Sequence, residues 1–237
     1  MLYEMSNNNL EQFMSTRPSP HLSTRTLLYQ LSQIAGAVRY LRGHFSMNWT
    51  SEDATELFLG LDITPEHIIV FPGQGAILRL LVKPSMIPVG SQLSWKSLYR
   101  PRTQVYRQPE TFRSEGTERA DMWSLGCTYL EILLWHLGGY EPLKNFREQR
   151  CQEVEPGGHE DEGFYFFAET GPDAKAQLRK PVVDMLQDLR NRTQGALHAA
   201  VKVVEAMLQI DPLARPSAAK VEEDLSELVQ SASTVEG

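Results

Sequence analysis

The chain has 237 residues, 41% hydrophobic and 22% charged, with a formal net charge of −7. That length is enough for one domain with a sizeable core, and the composition is ordinary for a soluble globular protein. The acidic balance disfavours nonspecific binding to nucleic acid or anionic membranes, and two cysteines, Cys127 and Cys151, do not make a disulfide framework.

No basic segment followed by an apolar run opens the chain, so no signal peptide is expected. Residues 14–22 hold Pro18 and Pro20 and read as irregular. The first strong periodicity follows. Leu27, Leu31, Ile34, Val38 and Leu41 recur every three or four residues and predict a helix over 24–42, with Ser23 as its N-cap. Residues 68–82 carry the one convincing strand signal: Ile68-Ile69-Val70-Phe71, a Pro-Gly-Gln-Gly turn, then Ile77 to Val82. Residues 83–102, with Pro84, Pro88, Gly90 and Pro101, predict a mobile segment.

The most apolar stretch is 122–137. It is shorter than the roughly 20 residues of a spanning helix and contains Ser124 and Glu131, so it predicts a buried core helix. Residues 152–163 are acidic and read as a solvated loop. Leu197, Val201, Val204 and Leu208 make a second helical stripe; Val221, Leu225 and Leu228 make a third, behind Pro216-Ser217. The rest reads as mostly helix, and the segment from Ser231 to Gly237 as a frayed tail. Both thiols read as buried or incidental.

Four motifs then stand out, in order. Leu2-Tyr3-Glu4-Met5 precedes the run Ser6 to Phe13. Gly60-Leu61-Asp62-Ile63-Thr64-Pro65-Glu66-His67-Ile68-Ile69-Val70 follows the first long helix. Thr103 to Glu110, with Tyr106-Arg107-Gln108-Pro109-Glu110, is followed after a short spacer by Ala120-Asp121-Met122-Trp123-Ser124-Leu125-Gly126. Met207 to Ser217 contains Asp211-Pro212-Leu213-Ala214-Arg215-Pro216. Together they resemble the hinge, the catalytic loop (His-Arg-Asp-Leu-Lys-Pro-Glu-Asn), the end of the activation segment with its central helix, and the Asp-Pro-x-x-Arg-Pro motif of eukaryotic Ser/Thr protein kinases. The resemblance implies a mainly α fold: a C-terminal kinase lobe, built as a helical bundle around a central buried helix, with a short β-hairpin at the catalytic loop. It spans residues 1–230, with 231–237 as a flexible tail, and leaves no sequence for the N-terminal β-lobe.

Kinase chemistry is mostly positioning and charge neutralisation. The resemblance puts Asp62 at the base position, a vestigial role here. It puts Thr64 where the family has a phosphate-steadying Lys, and His67 where it has a magnesium-holding Asn; magnesium prefers oxygen ligands. The Asp-Phe-Gly metal motif falls on Val82-Lys83-Pro84, and no acidic residue lies between Gly73 and Pro109. Gly73-Gln74-Gly75 is a turn between strands, not a phosphate cradle. The hinge position falls on Glu4 and Met5. No cofactor or metal is expected; ATP with magnesium belongs only to an alternative in which a small lobe is supplied.

The positions that hold the lobe together are intact. The resemblance pairs Glu110 with Arg215, has Asp121 accept hydrogen bonds from the catalytic-loop backbone, and packs Trp123 beneath the segment ending at Glu110. It makes Thr103, Tyr106 and Arg107 substrate-facing. It therefore implies a pseudokinase-like, protein-binding module, with an active Ser/Thr kinase or a truncated fragment as alternatives. A protein partner is expected at the activation-segment face or at an exposed upper face near Leu2, Tyr3, Ile69 and Val82; neither nucleic acid nor membrane is expected. The implied setting is cytoplasmic or nuclear.

Overall fold

A computed structural model describes residues 9–16, 22–49, 56–61, 63–71, 77–80, 84–88, 105–112, 118–152, 163–167 and 175–233. Among these residues the chain is mainly helical, with seven α-helices and three two-stranded antiparallel sheets.

Helix α3 (Glu118–Gly138) is the core element. Every residue from Ala120 to Trp135 is buried, including Asp121, Thr128 and Glu131. A helix apolar on all sides has no solvent face to offer, so the other helices surround it. Gly126 lets one of them come close: a Cβ there would lie 2.9 Å from Cβ of Met207 on α6 (Gly195–Met207). Gly139, at φ 79°, ends α3, and its N–H donates to the Trp135 carbonyl at 2.8 Å; the left-handed conformation suits glycine. Helices α4 (Tyr140–Gln152) and α5 (Lys180–Arg192) follow.

Helix α2 (Thr24–Trp49) and helix α7 (Ala218–Ser233) pack along each other. Ser23 caps α2 as expected, and Ser217 caps α7. The Thr26 N–H donates to Ser23 Oγ at 3.1 Å, and the Lys220 N–H to Ser217 Oγ at 3.2 Å. The α2 stripe is buried at Leu27, Leu31, Ile34 and Val38; Leu41 packs against the same core while partly exposed. Helix α7 continues through Ser233, so the tail read as starting at Ser231 is helical for its first three residues.

The predicted hairpin is present as β2 (Ile68–Phe71) and β3 (Ile77–Leu80), with Ile68 opposite Leu80 and Val70 opposite Leu78. Ile68, Val70 and Leu78 face the core, the alternation a pleated strand imposes. Gln30 of α2 anchors the pair by accepting the Leu78 N–H at 3.0 Å.

Two further pairs correct the expectation of a single strand signal. β1 (Glu56–Leu61) pairs with β4 (Pro84–Pro88), placing Leu61 opposite Pro84. Part of the segment read as mobile is thus a strand; its prolines are its first and last residues, where an edge strand tolerates a missing N–H. β5 (Tyr165–Phe167) pairs with β6 (Ala176–Leu178) in a stretch read as helix. Helix α1 (Leu10–Thr16) overrides the first three residues of the span read as irregular. Asn9 caps it, accepting the Gln12 N–H at 2.9 Å, and bridges to Ile69 of β2.

Candidate functional site

The backbone entering the loop after β1 is held by Asp121. This residue lies in the first turns of α3, and its side chain is 3% exposed. Its Oδ1 accepts the Leu61 N–H at 2.8 Å, and its Oδ2 accepts Nε–H of Arg42 from α2 at 2.5 Å. The carboxylate therefore ties β1 to two helices. A buried charge needs such a partner, and Arg42, which the sequence reading did not single out, supplies it.

Beyond Leu61 the chain turns through a 3-10 segment, Pro65–His67. Thr64 is buried, and its hydroxyl lies 3.3 Å from Nδ1 of half-buried His67. Two of the residues that differ from the pattern quoted above therefore contact each other. Asp62, Glu4, Met5 and Thr103 lie outside the described residues, as do Leu2, Tyr3 and Val82. Ile69, read as part of an exposed upper face, is only half-exposed and faces Asn9.

The segment 105–112 crosses over α3 and is fixed at three points. Ser124 Oγ–H donates to the Tyr106 carbonyl at 2.9 Å. The Tyr165 hydroxyl of β5 donates to the Gln108 carbonyl at 3.3 Å. Glu110 receives Arg215 in a two-pronged pair, Nη1 to Oε1 at 2.6 Å and Nη2 to Oε2 at 2.8 Å. Arg215 also donates to the carbonyls of Gln209 (2.7 Å), Arg119 (2.9 Å) and Ile210 (3.1 Å), so all five of its N–H bonds have acceptors. Its guanidinium lies 5.0 Å from the Trp123 ring centre, and Trp123 meets Tyr165 edge-on at 5.7 Å. Trp123 thus lies against the residues that fix both Gln108 and Glu110.

Tyr106 departs from the substrate-facing role that the resemblance implies for its side chain. Its phenol turns inward, and its O–H donates to Glu131 Oε2 at 2.9 Å. Burial, then the nearby Glu131 carboxylate, push its pKa well above the usual phenol value, so it stays neutral. Arg107 beside it is half-buried.

Glu131 is the centre of a second cluster. Its side chain is 0% exposed. Arg147 Nη2 donates to its Oε2 at 2.5 Å and Arg150 Nη2 to its Oε1 at 3.0 Å, both from α4. Burial alone would push the carboxyl pKa up; the two guanidiniums and the hydrogen bonds from Arg147 and Tyr106 outweigh it and hold the pKa below the usual value. Arg147 also grips Glu11 of α1 with both Nη groups at 2.7 Å. Arg147 and Arg150 belong to none of the recognised motifs. The available signal was Glu131 itself, the one acid in the apolar stretch 122–137, which requires buried cations nearby.

No family model and no curated protein matches the chain. Among the described residues no cluster of three or more His, Cys, Asp or Glu side chains could hold a metal ion, and no helix is long and apolar enough to cross a membrane.

Proposed function

We propose that this chain is a protein-kinase-like large lobe that acts as a protein-binding module rather than a phosphoryl-transfer enzyme. The observation that carries the reading is the two-pronged Arg215–Glu110 pair. It joins residues 105 positions apart and anchors the end of the segment 105–110 at Glu110. The Asp121 bond to the Leu61 N–H supports it, since the same kinase resemblance requires both links. The chemistry of the substituted positions supports the loss of catalysis. His67 and Val82-Lys83-Pro84 stand where oxygen ligands for magnesium are needed, and Thr64 stands where a cation would steady the transferred phosphate. The face around 105–110 is the proposed docking surface for a protein partner, in a cytoplasmic or nuclear setting.

Thermal unfolding with ATP and magnesium, against ATP with EDTA, tests this. A ligand at about a hundred times its dissociation constant stabilises a fold by about 2.7 kcal/mol. For a domain of this size that is a shift of about 5–10 °C. The expected result is a cooperative transition that ignores nucleotide. A magnesium-dependent rise would overturn the reading in favour of an active Ser/Thr kinase.

A further inference from the structure

Four side chains from four parts of the chain are linked through three consecutive hydrogen bonds. Arg147 Nη2 lies 2.7 Å from Glu11 Oε2 and 2.5 Å from Glu131 Oε2. The same Glu131 oxygen accepts the Tyr106 hydroxyl at 2.9 Å. Glu11 belongs to α1, Arg147 to α4, Glu131 to α3, and Tyr106 to the segment whose far end is fixed at Glu110. The outer end is accessible, with a Glu11 side chain 28% exposed; the inner carboxylate is wholly buried.

We propose that this chain of contacts is a conformational relay through which the state of α1 sets the order of the segment 105–110. One Arg147 nitrogen, through its two N–H bonds, donates to both carboxylates and so holds them together. When a cationic group on a partner draws Glu11 away, that nitrogen is free to follow Glu131 alone. The guanidinium then re-centres, and the Glu131 oxygen that holds Tyr106 moves with it. In a low-dielectric interior such polar chains act as units, so a change at one end is felt at the other. The coupling itself rests on these distances; only its use, control of a docking surface, rests on the proposed function.

Hydrogen exchange of the full chain tests it, read at the amides of residues 105–108 and 110, excluding Pro109. Three variants are compared with the unaltered protein: Glu11→Gln, Tyr106→Phe and both together. Glu148→Gln, in an exposed pair on α4 beside Arg147, serves as a control. Glu11→Gln is expected to speed exchange in the segment by about fivefold or more. Helices α5 and α7 are expected to keep their protection, and Glu148→Gln to leave the segment as it was. In the Tyr106→Phe background, Glu11→Gln should add nothing further. Unchanged exchange in Glu11→Gln would overturn the relay. So would a rise spread equally over α5 and α7, and so would independent effects of the two substitutions. None of these readouts uses a partner, so a failure of the docking proposal would leave this result standing, and the reverse.

Discussion

Two buried ion-pair clusters lie along α3, and they are built differently. At its start, Arg215 has an acceptor for every N–H, three of them backbone carbonyls. Further along, Arg150 donates once, to Glu131, while its Nε and Nη1 have no hydrogen-bond partner among the described residues. Aromatic faces take their place: the guanidinium lies 4.8 Å from the Phe146 ring centre and 4.0 Å from that of Phe164. The first cluster is directional and specifies one geometry. The second depends more on charge balance inside an apolar wall. Removing a partner should hurt both, but only the second should accept an apolar replacement of the whole set.

The largest effect is expected at Glu131. Replacing it with alanine leaves Arg150, 2% exposed, as an unbalanced buried cation, at a cost of about 4–5 kcal/mol. Denaturant midpoints measure this. Arg215→Ala should cost somewhat less, about 3–4 kcal/mol, because the Glu110 carboxylate it leaves is 12% exposed and reaches water. The contrast sharpens with combined changes. Glu131→Leu with Arg147→Met, Arg150→Met and Tyr106→Phe should return to within about 2 kcal/mol of the unaltered protein. Arg215→Met with Glu110→Leu should not recover, since the carbonyls of Arg119, Gln209 and Ile210 each lose a donor. Equal recovery of both sets would remove the distinction.

Asp121→Asn probes the first turns of α3 more gently. The amide oxygen still accepts the Leu61 N–H, while the charge opposite Arg42 is lost, a cost of about 2 kcal/mol. No change in the unfolding midpoint would mean that the Arg42 contact contributes nothing.

The same contrast explains what could be read in advance. The helices α2, α6 and α7 announce themselves because stripes and serine caps are local signals; the α6 stripe is buried at Val201, Val204 and Leu208 and half-buried at Leu197, and the α7 stripe is buried at Val221 and Leu225. The Glu110–Arg215 and Asp121–Leu61 links were legible because they sit inside recognisable motifs. The arginine partners of Glu131 were not, since Arg147 and Arg150 lie 16 and 19 positions further along the chain on another helix and no spacing rule connects them to it. The strands β1 and β4 escaped because a short apolar run such as Leu57-Phe58-Leu59 has no decisive period, and terminal prolines read as loop. Three-residue strands such as β5 and β6 carry still less signal. The Tyr106 phenol turned inward because a buried carboxylate awaited it, which the motif around it does not encode.

The smallest expected effect separates the second cluster from its neighbourhood by pH. His136 lies five positions beyond Glu131 on α3, and burial pushes its imidazole pKa below the usual value. The folded protein therefore disfavours its charged form. Its contribution is complete above about pH 6.5, the unfolded value, and is lost as the pH falls through the lower folded value. Glu131 behaves with the same sign at lower pH: its carboxyl is held down when folded, so its stabilisation is present above the ordinary carboxylate range and lost as acid protonates it. Unfolding midpoints measured from neutral pH downward should thus fall in two limbs. His136→Gln should remove the upper limb and leave the lower one, and Glu131→Gln should flatten the lower one on an already weakened protein. An upper limb that survives His136→Gln would place the titrating group elsewhere and detach this histidine from the stability of the α3 end.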